Sequence, residues 1–220
     1  MIYSGDEIKL ANFCETNLAL TSKHYAVPYQ SLGPCILDCV YSLRAKYFAV
    51  TVKVVDRYAQ AFMKGRAHDP GYSLTDFLRH IQSTGSKSNF ASNILNNRQK
   101  ISGRLKSEIC YDLAERLVYN KIETKSDFAN ANPAFIESII RGVKGLGNAA
   151  VNYLFMLAGD PNRCKPDVHI HHCIRDATGH DVSDSECQTL FTEAVKILKA
   201  KHPALTVALL DGIVWNKYRV

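Results

Sequence analysis

The chain has 220 residues, of which 46% are hydrophobic and 22% charged, and its formal net charge is +6. This composition excludes an intrinsically disordered protein, and the length suffices for one large domain or two small ones without disulfide or metal support. The positive charge is compatible with a polyanionic partner but does not by itself indicate one.

From the sequence we expect neither a signal peptide nor a transmembrane segment. The chain has no run of about 18 apolar residues, and Asp6 and Glu7 occupy a stretch that would be basic and then apolar in a signal peptide. The seven cysteines form no CxxC pair and follow no metal-ligand spacing. We therefore expect a cytoplasmic protein with reduced thiols and without a metal site.

Apolar residues recur at spacings of three and four along almost the whole chain, which predicts an all-α fold. Capping residues and glycine or proline breaks separate the predicted helices. In chain order these are Ser4–Leu20, Gly33–Tyr47, Val50–Lys64, a helix from Ser73, Gly103–Tyr119, Asn132–Gly142, Val151–Ala158, Asp167–Ala177, Ser183–Ala200 and a last helix after Pro203. The third segment is rich in valine, but the helical spacing of its apolar residues favours a helix over a strand.

A glycine-rich turn joins the helix that ends near Gly142 to the apolar helix Val151–Ala158. Its glycines permit backbone conformations that other residues avoid, and they leave no side chain between the backbone amides and an approaching oxyanion. The first-turn N–H groups of the second helix would bind a DNA phosphate without sequence discrimination. The alternative is a plain pair of helices whose glycines only end the first one. The candidate phosphate-binding residues are Lys144, Gly145, Leu146, Gly147, Asn148 and Ala149.

Asp167 follows Pro166 and stands at the predicted N-cap of a helix that runs to about Ala177. An aspartate needs no further function there, because its side chain accepts hydrogen bonds from backbone N–H groups. The same hydrogen bonds and the helix dipole keep the carboxylate ionised, which suits a group that faces a developing positive charge. The residues themselves leave a helix cap and a catalytic carboxylate open as alternatives.

Together, the glycine turn, the apolar helix after it and the Pro-Asp-x-His sequence at Pro166 to His169 resemble the helix-hairpin-helix DNA glycosylases of the endonuclease III type, over roughly residues 133 to 175. The resemblance implies that Leu146 with its flanking glycines binds the DNA phosphodiester and that Asp167 is catalytic. In the lyase branch of that family a lysine follows the second glycine by two residues, and here that position is Ala149. The resemblance therefore points to the monofunctional branch, in which water attacks the sugar.

The layout of that family implies two helical subdomains with an active-site groove between them. Residues 32–159 would form one subdomain with the hairpin, and residues 1–31 and 160–220 would form the other. The implied partner is double-stranded DNA that contains a damaged or modified base, bound by a monomer. No iron–sulfur cluster or other cofactor is expected, since only Cys187 follows Cys173; a monovalent cation at the hairpin stays open.

Two further sets of residues are candidates for handling a flipped base. Asp38, Tyr41 and Ser42 fall on one face of a predicted apolar helix and would line a base pocket. Alternatively, Asp38 lies near the first turn and complements the helix dipole. The run Asn97-Arg98-Gln99 in a basic segment would fill the gap in the DNA, or is a solvated loop.

Two other functions fit the same residues. A non-catalytic DNA-binding protein would use the hairpin and keep Asp167 only as a helix cap. A lyase would recruit Lys144 or Lys165 in place of the missing amine. The sequence does not indicate which base is removed.

Overall fold

A computed structural model of the protein describes residues 1–20 and 29–219. The fold is all-α, with 64% of the described residues in helices. The helices are α1 (Asp6–Asn17), α2 (Leu32–Ser42), α3 (Val52–Phe62), α4 (Leu74–Ser83), α5 (Lys87–Asn89), α6 (Lys106–Tyr119), α7 (Lys125–Asn130), α8 (Pro133–Arg141), α9 (Asn148–Ala158), α10 (Val168–Thr178), α11 (Asp184–Leu198) and α12 (Val207–Tyr218). Among the described residues, no helix is long and apolar enough to cross a membrane.

Local capping signals predicted several helix starts correctly, because each cap is completed within its own turn. The confirmed pairs are Ser73 with Asp76 at α4, Asn132 with Pro133 at α8, and Ser183 with Glu186 at α11. The predicted box of Ser4 with Glu7 was wrong. Gly5, with φ 89°, precedes α1, and the Asp6 carboxylate accepts the N–H of Tyr3 instead.

The region after α2 departs from the predicted pair of long helices. The second helix ends at Ser42, not near Tyr47, and Arg44 takes a positive φ of 53° that no α-helix continues through. A π-helical turn, Tyr47–Thr51, then leads directly into α3. Single π-helical turns within helices are uncommon and are not visible in apolar spacing.

A short β-hairpin precedes α6, where the sequence predicted a helix from Gly103. Strand β1 (Lys100–Ile101) pairs antiparallel with β2 (Arg104–Leu105). The two residues between them, Ser102 and Gly103, both have positive φ, as the tight turn of a two-residue hairpin requires. The helix therefore begins only at Lys106.

The chain divides into two compact units, Met1–Ala26 with Asp160–Val220, and Val27–Gly159. In the larger unit all of α2 is buried, and it packs against α3, α6 and α9. In the smaller unit α1, α10, α11 and α12 enclose a separate apolar core. The assignment of residues 1–31 with 160–220, and of 32–159, as functional subdomains stays a prediction.

Candidate active site

The turn between α8 and α9 contains two glycines with different roles. Gly145 takes a φ of 108°, which few residues other than glycine adopt, and a Cβ there would lie 3.1 Å from Cδ1 of Ile109. Gly147 has a φ of −118°, which any residue adopts, and a Cβ there would meet no described atom within 4 Å. The predicted conformational need for glycine is thus right at Gly145 and wrong at Gly147. Open space in front of Gly147 is what a close external ligand requires.

No side chain of the described residues caps the first-turn N–H groups of α9. Gly147 is the N-cap residue and has no side chain to accept them. The Asn148 side chain, which follows, accepts a hydrogen bond from the Arg141 guanidinium. Lys144, Gly147 and Asn148 are exposed, whereas Leu146 is buried in the core. The hairpin therefore has an apolar anchor on one side and an exposed, positively polarised tip on the other.

Contacts with α2 fix α9 in place behind the hairpin. The Cys39 thiol donates to the carbonyl oxygen of Ala150 (3.3 Å), and the Tyr153 hydroxyl donates to Oδ1 of Asp38 (2.8 Å). Both α2 residues are fully buried. Movement of the hairpin relative to α2 would break buried hydrogen bonds, which is costly.

In the other unit, Asp167 is the N-cap of α10, as predicted. Its Oδ1 accepts hydrogen bonds from the N–H groups of His169 (2.9 Å) and Ile170 (3.3 Å). Its Oδ2 accepts no hydrogen bond from the described residues, and the side chain is only partly buried. One oxygen thus orients the carboxylate while the other is available to a second group. A cap and a reactive carboxylate are therefore compatible at this position.

Asp211, which was not among the predicted site residues, is a second carboxyl group that contacts the segment before Asp167. It lies in α12, is 7% exposed, and its Oδ2 accepts the N–H of Lys165 at 2.7 Å. Burial raises the pKa of Asp211 to about 8, and the charge of Asp167 adds to this rise. An aspartate within the apolar run Leu209 to Val214 was the only available sequence signal.

The stability of the protein is expected to depend on pH through Asp211. Folding raises its pKa from 3.8 to about 8, so the folded state binds a proton that the unfolded chain releases. This contribution is complete below about pH 4 and is lost as the pH rises through about 8. The melting temperature should therefore fall more steeply between about pH 5 and about pH 9 in the wild type than in Asp211→Asn. If the melting temperatures of the two proteins changed with pH in parallel, the raised pKa of Asp211 would be contradicted.

Asp38 is fully buried and serves as the acceptor for three tyrosine hydroxyl groups. Tyr29 and Tyr47 donate to Oδ2, and Tyr153 donates to Oδ1, each at 2.8 Å. These tyrosines come from the segment before α2, from the π-helical turn and from α9. One carboxylate thus connects three parts of the larger unit.

The structure corrects one interpretation of Asp38 and leaves another as a prediction. Asp38 lies in the second turn of α2, which begins at Leu32, so the first-turn dipole interpretation was wrong. Tyr41 and Ser42 are also buried, and the Ser42 hydroxyl donates to the carbonyl oxygen of Cys39. The Tyr41 hydroxyl has no partner among the described residues. A base-pocket role for these residues stays a prediction.

Asp38→Ala is expected to destabilise the protein by about 3 kcal/mol or more, because three buried or partly buried hydroxyls lose an acceptor and a buried polar group without a partner costs about 1–3 kcal/mol. Asp38→Asn, which retains one accepting oxygen, should lose less. Chemical denaturation measures both changes. If Asp38→Ala were as stable as the wild type, the structural interpretation would be wrong; an altered preference among excised bases at unchanged stability would favour the pocket instead.

Hydrogen bonds within the predicted wedge, Asn97-Arg98-Gln99, and to residues outside it hold this segment in place. Oδ1 of Asn97 accepts the N–H of Gln99 (2.9 Å). The Arg98 guanidinium donates to the hydroxyls of Ser88 (3.1 Å) and Ser92 (2.7 Å). Oε1 of Gln99 accepts from Nζ of Lys106 (2.8 Å), a lysine that is almost fully buried. The segment is thus a structured connection, and its insertion into DNA stays a prediction.

Two solved structures of DNA glycosylases have a similar fold. The structure of MBOgg1 in complex with a low-affinity DNA ligand matches with a TM-score of 0.62 at 12% identity, over 100% of this chain and 71% of that chain. The 8-oxoguanine glycosylase/lyase of Clostridium acetobutylicum, in complex with double-stranded DNA containing cytosine opposite 8-oxoG, matches with a TM-score of 0.60 at 11% identity, over 100% and 72%. The predicted helical glycosylase fold is therefore confirmed.

Sequence comparison assigns the chain to a family whose function is not known. No curated protein is significantly similar in sequence. The model of a family described as a domain of unknown function, DUF8548, matches residues 8–219. The chain therefore belongs to the DUF8548 family, and its fold is that of the helical DNA glycosylases.

Proposed function

We propose that this protein is a DNA glycosylase that hydrolyses the N-glycosidic bond of a damaged or modified base, with Asp167 as its catalytic carboxylate. The observation that carries the proposal is the geometry of Asp167, whose Oδ1 caps α10 while Oδ2 has no hydrogen bond within the described chain. The similar solved structures both contain DNA, which supports double-stranded DNA as the partner. A monomer without a cofactor suffices for this reaction.

The reaction builds positive charge on the sugar as the base departs. A carboxylate that is already held in place stabilises this charge more in the transition state than in the ground state. Asp167 is also suited to deprotonate the attacking water, since its second oxygen is available. The base must first leave the stack, which costs a few kcal/mol and favours bases whose pairing is already weak.

The hairpin supplies binding in this proposal. A phosphate approaching α9 would meet first-turn N–H groups that no described side chain caps, and no described atom lies within 4 Å of the place where a Cβ of residue 147 would be. The exposed amine of Lys144 adds positive charge beside them. Such contacts position the duplex but carry no sequence information. Selection of the base must then come from other residues.

The assay that tests the proposal is excision from a panel of duplexes. The panel contains deaminated, alkylated, oxidised and phage-type modified bases, with 8-oxoguanine among the oxidised ones. We expect release of at least one base by the wild type. The N-cap geometry of Asp167 also suits a non-catalytic DNA-binding protein, and binding without excision across the whole panel would favour that function.

The absence of an amine at Ala149 predicts that the protein leaves intact abasic sites. A lyase forms a covalent Schiff base with the sugar through an amine, and borohydride reduces this adduct to a stable one. We expect no trapped adduct even at high protein concentration. The glycosylase/lyase of Clostridium acetobutylicum serves as the positive control. Trapping that disappears in Lys144→Ala or Lys165→Ala would show instead that a different lysine performs the lyase reaction.

A further inference from the structure

The segment that leads into Asp167 is held by two helices that follow it in the chain. The N–H of Cys164 donates to Oε1 of Gln188 on α11 (2.9 Å). The N–H of Lys165 donates to Oδ2 of Asp211 on α12 (2.7 Å). At the start of the segment, the carbonyl oxygen of Pro161 accepts the N–H of Ala208, also on α12 (3.0 Å). The backbone before Asp167 is therefore held by groups on α11 and α12 in addition to its own local turns.

Among these groups, Asp211 is the one whose burial costs the most free energy. A buried carboxyl group costs free energy unless its hydrogen bonds compensate for the lost water. Within the described residues, the only hydrogen bond of Asp211 is the one from the N–H of Lys165. The neighbouring positions of α12 are mostly apolar and offer it no other partner. An apolar residue would pack here at lower cost. The hydrogen bond to the segment is what distinguishes an aspartate from such a residue.

A second hydrogen bond connects Lys165 to Asp167. The carbonyl oxygen of Lys165 accepts the N–H of Asp167 at 2.7 Å. The peptide groups on both sides of Lys165 are thus engaged, one by Asp211 and one by Asp167. A shift of Lys165 would move the Asp167 backbone and with it the carboxylate that caps α10.

We propose that Asp211 is the positioning residue of Asp167: its buried carboxyl group fixes the backbone of Lys165 and thereby the orientation of the Asp167 carboxylate. This inference rests on the proposed function for its catalytic consequence. Burial is the main cause that disfavours ionisation of Asp211, and the charge of Asp167 adds to it. Asp211 thus acts as a neutral acceptor, a property that asparagine retains.

The test compares Asp211→Asn with Asp211→Ala in single-turnover excision and in duplex binding. Asp211→Ala should slow excision by about 10- to 100-fold, because small misplacements of a catalytic group have effects of that size, with binding changed by less than about threefold. The rate of excision by Asp211→Asn should stay within about threefold of the wild-type rate, because asparagine keeps an accepting oxygen. Asp6→Ala is the matched control, since Asp6 is a fully buried carboxylate in the same unit that contacts Tyr3, Lys9 and His180 instead.

Amide hydrogen exchange separates failure of this inference from failure of the proposed function. Asp211→Ala should accelerate exchange at Lys165, Asp167, His169 and Ile170, whereas Asp211→Asn and Asp6→Ala should not. This readout is valid even if the wild type excises no base. Unchanged exchange at Asp167, His169 and Ile170 in Asp211→Ala would overturn the inference, as would an equal loss of excision in Asp6→Ala.

Discussion

Asp167→Asn is expected to lower the rate of base excision by about 10²- to 10⁴-fold while duplex binding changes only a few-fold. Asparagine retains an oxygen that accepts the N–H groups of His169 and Ile170, so the cap of α10 survives. It lacks the negative charge that would stabilise the positively charged sugar, and it cannot deprotonate water. The variant thus removes the charge and preserves the fold.

Single-turnover kinetics with saturating protein measure this effect, because they separate bond cleavage from product release. Asp181→Asn is a suitable control, since it removes one negative charge from an exposed ion pair with Arg175 in the same unit. Its excision rate should be unchanged. Near-normal excision by Asp167→Asn would refute the catalytic role of Asp167 and leave it as a helix cap.

Gly147→Val is expected to weaken binding to every duplex by about tenfold or more, with or without a modified base. The backbone at Gly147 has a φ that valine adopts, and the added Cβ would meet no described atom within 4 Å. The fold should therefore tolerate the change, and the melting temperature should fall little. The new side chain would instead occupy the space that a phosphate needs to reach the N–H groups of α9.

Fluorescence anisotropy with labelled duplexes measures this loss, and Gly147→Ala should give a smaller one because its side chain is shorter. The change should appear mainly as weaker binding at low salt, where phosphate contacts dominate. A loss confined to duplexes with a modified base would show that the turn contacts the base. Unchanged binding would exclude the tip of the hairpin from the DNA interface.

Features that depend on neighbouring residues were predictable from the amino-acid sequence. Apolar spacing predicted the all-α fold, and caps such as Ser73 with Asp76 predicted helix starts, because each of these is completed within one or two turns. The N-cap position of Asp167 and the glycine turn before α9 were predictable for the same reason. The roles of these residues in DNA binding and catalysis stay predictions.

The surroundings of these local features depend on contacts between residues that are distant in the chain. Tyr153 lies 115 residues from its acceptor Asp38, and Lys165 lies 46 residues from Asp211. No spacing rule connects residues so far apart, and an aspartate in an apolar helix looks the same in sequence whether it faces solvent, a ligand or a distant backbone amide. The burial of Asp38 beneath three tyrosines and the bond from Lys165 to Asp211 arise because folding brings these groups together out of water, where each must find a partner.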